Sequence, residues 1–87
     1  MWNYRVLAHI YKDDVFFDIH SVVYGESGKP EMYSEKPSSV GGSNIDEIKE
    51  VIELMELALK KPILMAGDKF PQEYSNDWTI KRMWVDD

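Results

Sequence analysis

Residues 2–24 alternate between apolar and polar positions with period two and are rich in β-branched and aromatic side chains, the pattern of strands. Trp2, Tyr4, Val6, Ala8 and Ile10 share one side. Val15, Phe17, Ile19, Ser21 and Val23 form the matching set after the polar break Lys12-Asp13-Asp14. Cross-strand partners share a face, so an even position before the break must sit opposite an odd one after it. A two-residue turn at Lys12-Asp13 pairs Ile10 with Val15, Ala8 with Phe17 and Val6 with Ile19. A four-residue loop also satisfies this parity, whereas a three-residue loop needs a bulge.

Gly25-Glu26-Ser27-Gly28-Lys29-Pro30 reads as a turn with two glycines and a closing proline. A third strand over residues 31–34 then completes a meander, followed by a loop over 36–42. Asn44 with Glu47 three places on has capping-box spacing, and Asp46 and Glu47 suit the positive end of a helix dipole. Ile45, Ile48, Ile52, Met55 and Leu59 recur at three- and four-residue steps, widened by Val51, Leu54 and Ala58. Asp46, Lys49, Glu50, Glu53, Glu56 and Lys60 take the other side. This predicts an amphipathic helix of about four turns whose apolar stripe covers the sheet, ended by Pro62 at Lys60 or Lys61.

Ile63-Leu64-Met65 reads as a short extended or buried segment, and Gly67-Asp68 as a turn. Residues 69–87 support two readings. Trp78, Ile80, Met83 and Trp84 fit a helical turn capped by Ser75 or Asn76, and Trp78, Ile80 and Trp84 also fit one side of an edge strand. The expected fold class is α+β: a three-stranded antiparallel β-meander packed on one amphipathic helix, with an aromatic C-terminal segment. A single domain is expected over 1–87, with a ββ(β)α core at 2–65 and an extension at 66–87.

Composition narrows the class. With 87 residues, 44 % of them hydrophobic and 30 % charged, the chain is an ordinary globular one with a thin core. It has no cysteine, which removes disulfides, thiolate nucleophiles and cysteine-based metal sites. The opening residues show no signal-peptide pattern, and no apolar run approaches the roughly 20 residues that span a bilayer. A cytoplasmic location without membrane contact is the expectation. The net charge of −6 is spread evenly, −2 in each of residues 1–44, 45–61 and 62–87. No basic cluster is present, so direct nucleic-acid binding is not expected.

Constellations that could carry chemistry are few. His9, His20, Arg5 and Asp18 all fall on the sheet face opposite Val6 and Ile19. In the two-residue-turn register Arg5 faces His20, and Asp18 is diagonal to His9. A metal site there needs a third ligand, and Asp18 is the nearby candidate; the reading adopted is a polar, solvated face with a cross-strand hydrogen bond, with no metal and no cofactor assigned. Gly25-x-x-Gly28-Lys29 lacks the spacing of a phosphate loop. At Gly41-Gly42-Ser43, Asp46 and Glu47 already occupy the positive helix end and repel an anion. No spacing suggests a Ser, His and carboxylate set, and no catalytic residue is assigned.

The face that holds His9 and His20 also carries Leu7, Tyr11, Phe16, Val22 and Tyr24. That is too apolar for a fully wet surface, and one helix covers one side of a sheet. The aromatic C-terminal segment, a second copy of the chain, or a different protein is expected to shield it. The candidate binding residues are Leu7, Phe16, Val22, Tyr24, Trp78, Trp84, Arg5 and His20.

Trp2-Asn3-Tyr4-Arg5-Val6, Ile19-His20-x-Val22-x-Tyr24, Gly28-Lys29-Pro30, Ser43-x-x-Asp46-Glu47-Ile48 and Leu57-x-x-x-Lys61-Pro62-Ile63-Leu64 together carry a resemblance. The chain resembles a group of short, uncharacterised bacterial proteins that open with W-N-Y-R-V and close their helix with K-P-[IV]-L. The resemblance covers residues 2–65. It implies a bacterial or phage origin and transfers no activity and no catalytic residue.

The functional expectation is a non-catalytic, small acidic module that binds another protein, with an inhibitor or regulator as one form. Two alternatives are a small-ligand or enzymatic site around Arg5, Asp18 and His20, and a homodimer formed through the sheet.

Overall fold

In the computed structural model, which describes residues 1–75, the alternating N-terminal stretch forms the expected hairpin. Strand β1 (Trp2–Tyr11) pairs antiparallel with β2 (Asp14–Tyr24) through a two-residue turn. Ile10 faces Val15, Ala8 faces Phe17, Val6 faces Ile19 and Arg5 faces His20. Lys12 supplies the positive φ, 56°, that lets a two-residue loop follow the strand twist.

Strand β3 (Pro30–Tyr33) continues the meander on the free side of β2, one residue earlier than the pattern predicts. Tyr33 lies opposite Val22 and Met32 opposite Val23, and a register shift at Val23/Tyr24 brings Tyr24 opposite Pro30. A proline opens this strand because an edge strand has a free side, where a missing N–H costs no ladder bond. Gly28, with φ 82°, closes the intervening turn.

Helix α1 (Ile45–Ala58) starts where the cap residues place it. Asn44 Oδ1 accepts from the Glu47 backbone N–H at 2.9 Å. Glu47 Oε2 accepts from the Ser43 N–H at 2.7 Å and the Ser43 hydroxyl at 2.9 Å, so the reciprocal bond of the capping box lands one residue before the cap. Leu59, Lys60 and Lys61 close the last turn with tightened backbone bonds ahead of Pro62.

The helix carries the chain back to the free edge of β1, and a fourth strand forms there. Strand β4 (Leu64–Met65) runs parallel to β1, with Leu64 beside Leu7 and Met65 beside Ala8. The expected three-stranded antiparallel meander is therefore a four-stranded mixed sheet of order β3-β2-β1-β4. A 3-10 turn at Gly67–Lys69 and a cis Phe70-Pro71 bond then bring the chain back along β4. The Met65 N–H donates to Gln72 O and the Tyr74 N–H to Ile63 O, both at 2.7 Å. The portion of the expected extension that holds Trp78, Ile80, Met83 and Trp84 lies outside the described residues.

Each face of the sheet has its own core layer. On the helix side Val6, Ala8, Met55, Ala58 and Met65 are buried. On the other side Leu7, Val22 and Leu64 form the most enclosed cluster, covered by Tyr24, Tyr33, Ala66 and Phe70. Tyr33 and Phe70 meet edge to face with centroids 4.8 Å apart, and Tyr33 Oη accepts from the Gly67 N–H at 2.8 Å. The part of the second face around Leu7, Val22 and Leu64 is thus shielded by residues 66–70 of this chain together with β3, while Tyr11 and Phe16 at its far end stay exposed. Arg5 ties the layers together: Nη1 donates to Tyr24 Oη at 2.8 Å and Nη2 to Pro62 O at 2.7 Å, fixing the exit from α1 against the hairpin.

Candidate functional site

The hairpin register dictates a polar cluster. Asp18 and His20 are two apart on β2 and so project to one face, and His9 projects to the same face from β1, diagonal to Asp18. His9 Nε2 lies 2.6 Å from Asp18 Oδ1. His20 Nε2 lies 2.9 Å from the same oxygen, within ion-pair range but off the line of a hydrogen bond, so this buried nitrogen has no aligned partner. The three donor atoms are all within 4.8 Å of one another. The Phe16 ring stacks on His9 at 4.8 Å with planes 9° apart, and Tyr33 meets His20 edge-on at 5.4 Å.

His20 is 2 % exposed, whereas His9 and Asp18 each keep about a quarter of their side-chain surface in contact with solvent. The expected wet, polar face is therefore half wrong: its acidic end is open, but its histidine on β2 is core. The cause is β3 and the loop after it, which lay Tyr33 and Ser34 over His20. His20 Nδ1 donates to Ser34 O at 2.7 Å. That bond fixes the tautomer, because a carbonyl oxygen only accepts, and it leaves the lone pair of a neutral ring on Nε2.

A serine, a histidine and an aspartate do fall in line here, which no sequence spacing suggests: Ser34 Oγ is 3.3 Å from His20 Nδ1. The proton directions oppose nucleophilic use. Nδ1 already carries the hydrogen given to Ser34 O, and the Ser34 hydroxyl donates to Lys36 O at 2.8 Å. A general base must accept from the nucleophile, and this nitrogen donates instead.

The remaining sequence candidates divide. Leu7 and Val22 are 0 % exposed and belong to the core, so neither can line a docking surface on the folded chain. Arg5 is buried and bound to Tyr24 and Pro62 rather than to Asp18 or His20, which separates it from the cluster it was grouped with. Tyr24 is half-buried over the same layer. Phe16 is 53 % exposed beside His9. Trp78 and Trp84 lie outside the described residues.

Exposed apolar surface is concentrated instead on the helix side. Trp2, Phe17, Ile52, Leu57 and Leu59 are each about half exposed or more. Two clefts flank α1. One, of about 330 Å³, is lined by Trp2, Asn3, Tyr4, Leu54, Leu57 and Lys61. The other, of about 420 Å³, is lined by Ile19, Val40, Ile52, Met55, Glu56 and Leu59. The expected apolar stripe holds Ile52, Leu54, Met55 and Leu59 against the sheet and does not include Leu57; of these only Met55 is buried. A single 14-residue helix is too narrow to cover strands of 10 and 11 residues side by side, and that mismatch of widths was the available signal.

The fold and the site define an α+β protein with a His–Asp–His cluster on one sheet face and an open apolar surface on the other. Comparison of the chain with protein-family models, curated proteins and solved structures found no match. Among the described residues no helix is long and apolar enough to cross a membrane.

Proposed function

We propose that the chain is a non-catalytic module that binds another protein through the helix side, with Trp2, Ile52, Leu54, Leu57 and Leu59 as the contact residues. The observation that carries this reading is the half-exposed apolar surface on both flanks of α1, where two clefts accept side chains. Contiguous apolar surface of this kind marks contacts, and large apolar anchors in pockets carry most of their energy. Glu50, Glu53 and Glu56 stand beside it on a chain of net charge −6. The partner that fits is a protein segment with apolar side chains at its centre and basic ones at its rim, whose association salt slows.

The test is a set of point variants assayed against proteins captured from a bacterial lysate. Leu57→Glu and Ile52→Glu should abolish capture of the partner, Phe16→Ser should retain it, and added salt should weaken it. A partner that is lost with Phe16→Ser and kept with Leu57→Glu would place the interface on the opposite face. Light scattering separates the remaining occupant: a mass that doubles with concentration in the wild type, and not in Leu57→Glu, identifies a second copy instead.

A further inference from the structure

The geometry points to a divalent transition-metal site formed by His9 Nε2, Asp18 Oδ1 and His20 Nε2, an assignment independent of which surface binds a protein. Three observations carry it. First, the three donor atoms converge from one rigid hairpin and lie within 4.8 Å of one another. Second, His20 is 2 % exposed, and its Nε2 is buried without an aligned hydrogen-bond partner. A buried polar atom left unpaired is costly, and here it lies at a converging set of donors where an ion would satisfy it. Third, the Nδ1–H bond to Ser34 O puts the His20 lone pair on the nitrogen that faces the cluster. This is the outer-shell arrangement in which a histidine ligand donates its other ring N–H to a backbone carbonyl.

Electrostatics favour a cation at this point. With His20 neutral, its Nε2 lone pair stands 2.9 Å from an anionic carboxylate oxygen, and only a proton or a metal ion between them removes that repulsion. Two imidazoles and one carboxylate select borderline ions such as Zn²⁺ over Mg²⁺ or Ca²⁺, which prefer oxygen. Donors bound about 2.0–2.2 Å from a tetrahedral ion stand roughly 3.3–3.5 Å apart, so the contacts of 2.6 and 2.9 Å to Asp18 need to open by roughly 0.4–0.9 Å, and the two histidine Nε2 atoms, up to 4.8 Å apart, need to draw together. His9 and Asp18 can make that adjustment because both reach solvent, while His20 is held by Ser34 and Tyr33. Three protein ligands leave a fourth position for water on the solvent side. The ion takes the place of the hydrogen bond between His9 Nε2 and Asp18 Oδ1, and His9 binds it as a neutral imidazole with its one ring proton on Nδ1.

The test uses the untagged full chain, stripped of metal and titrated with Zn²⁺ against a chelating indicator. One Zn²⁺ per chain is expected, and Mg²⁺ should not compete. Long-range ¹⁵N–¹H spectra should show Nε2 of His9 and His20 becoming metal-bound while Nδ1 of His20 stays protonated. His9→Gln and Asp18→Asn should each weaken binding by at least about tenfold. Absence of stoichiometric binding, or binding that neither substitution weakens, overturns the site. If the variants misfold, the wild-type spectra decide: Zn²⁺ that leaves both Nε2 signals unmoved equally refutes it, and the cluster is then a proton-sharing pair beside a buried imidazole.

Discussion

Leu7 and Leu64 lie side by side in parallel strands, and both are almost completely withdrawn from solvent. This pair sits at the centre of the enclosed cluster on the face of the sheet that the helix does not reach. Because Val22 and the Tyr33 and Phe70 rings pack over the same spot, little can collapse into the space a truncation leaves. Leu7→Ala is expected to lower the unfolding free energy by about 2–5 kcal/mol, the range for a fully buried leucine. Leu59→Ala, at a position 68 % exposed, should cost under about 1 kcal/mol. Urea unfolding followed by circular dichroism checks both. A Leu7→Ala cost no larger than that of Leu59→Ala would mean that the second face is not a core layer.

The hairpin and the helix were legible because long patterns specify them. Two long alternating runs with a fixed parity leave few registers, and Asn44, Glu47 and Pro62 bracket the apolar stripe of α1. Two residues cannot display a period, so Leu64 and Met65 showed only as an apolar pair, and the fourth strand went unseen. The cover over Leu7 and Val22 was hidden for a related reason. Residues 66–70 carry one aromatic side chain and no periodicity, whereas the expectation leaned on the more conspicuous Trp78 and Trp84. Asp18 beside His9 followed from the register alone; the burial of His20 did not, because it depends on where Ser34 falls beyond the shift at Val23/Tyr24.

Lys12 holds a left-handed backbone conformation at the tip of the hairpin, φ 56°. A side chain there opposes the twist-matched turn, and glycine removes the steric cost at some expense in chain entropy. Lys12→Gly should therefore stabilise the domain by a few tenths to about 1 kcal/mol, with the Ile10–Val15 pairing unchanged in amide spectra. A loss of stability would show that the lysine side chain, whose ammonium Nζ lies 5.5 Å from the Tyr11 ring centroid, contributes more than the backbone costs.

Tyr33 joins β3 to the segment that covers the second face through one bond, its hydroxyl accepting from the Gly67 N–H at 2.8 Å. Tyr33→Phe keeps the ring against Phe70 and His20 and deletes only that acceptor. The expected cost is about 0.5–1.5 kcal/mol. Amide exchange at Gly67 should accelerate by more than the global change accounts for, whereas exchange at Val6 and Ile19 should follow the global change. Equal acceleration at all three amides would mean that residues 66–70 do not open separately from the sheet.

Glu47 gives a pH dependence whose direction follows from its partners. Its carboxylate accepts first from the Ser43 backbone N–H and then from the Ser43 hydroxyl, and these bonds hold its pKa below the ordinary 4.5 against a small opposing effect of burial. A group whose folded pKa is depressed stabilises the fold above its unfolded value, and that contribution disappears as pH falls through the folded pKa. Wild type should therefore exceed Glu47→Gln in stability at neutral pH, and the gap should narrow on acidification below about 4.5. Ser43→Ala removes the hydroxyl and keeps the backbone N–H, so the Glu47 titration should move only part of the way back. Asn44→Ala, which strips the cap itself, should cost about 1 kcal/mol at every pH, because Asn44 does not ionise. Carbon-detected titration of the Glu47 side chain, with thermal unfolding at several pH values, measures all three. A gap between wild type and Glu47→Gln that stays constant from neutral pH down to acid would show that the carboxylate contributes nothing as an ion to the start of α1.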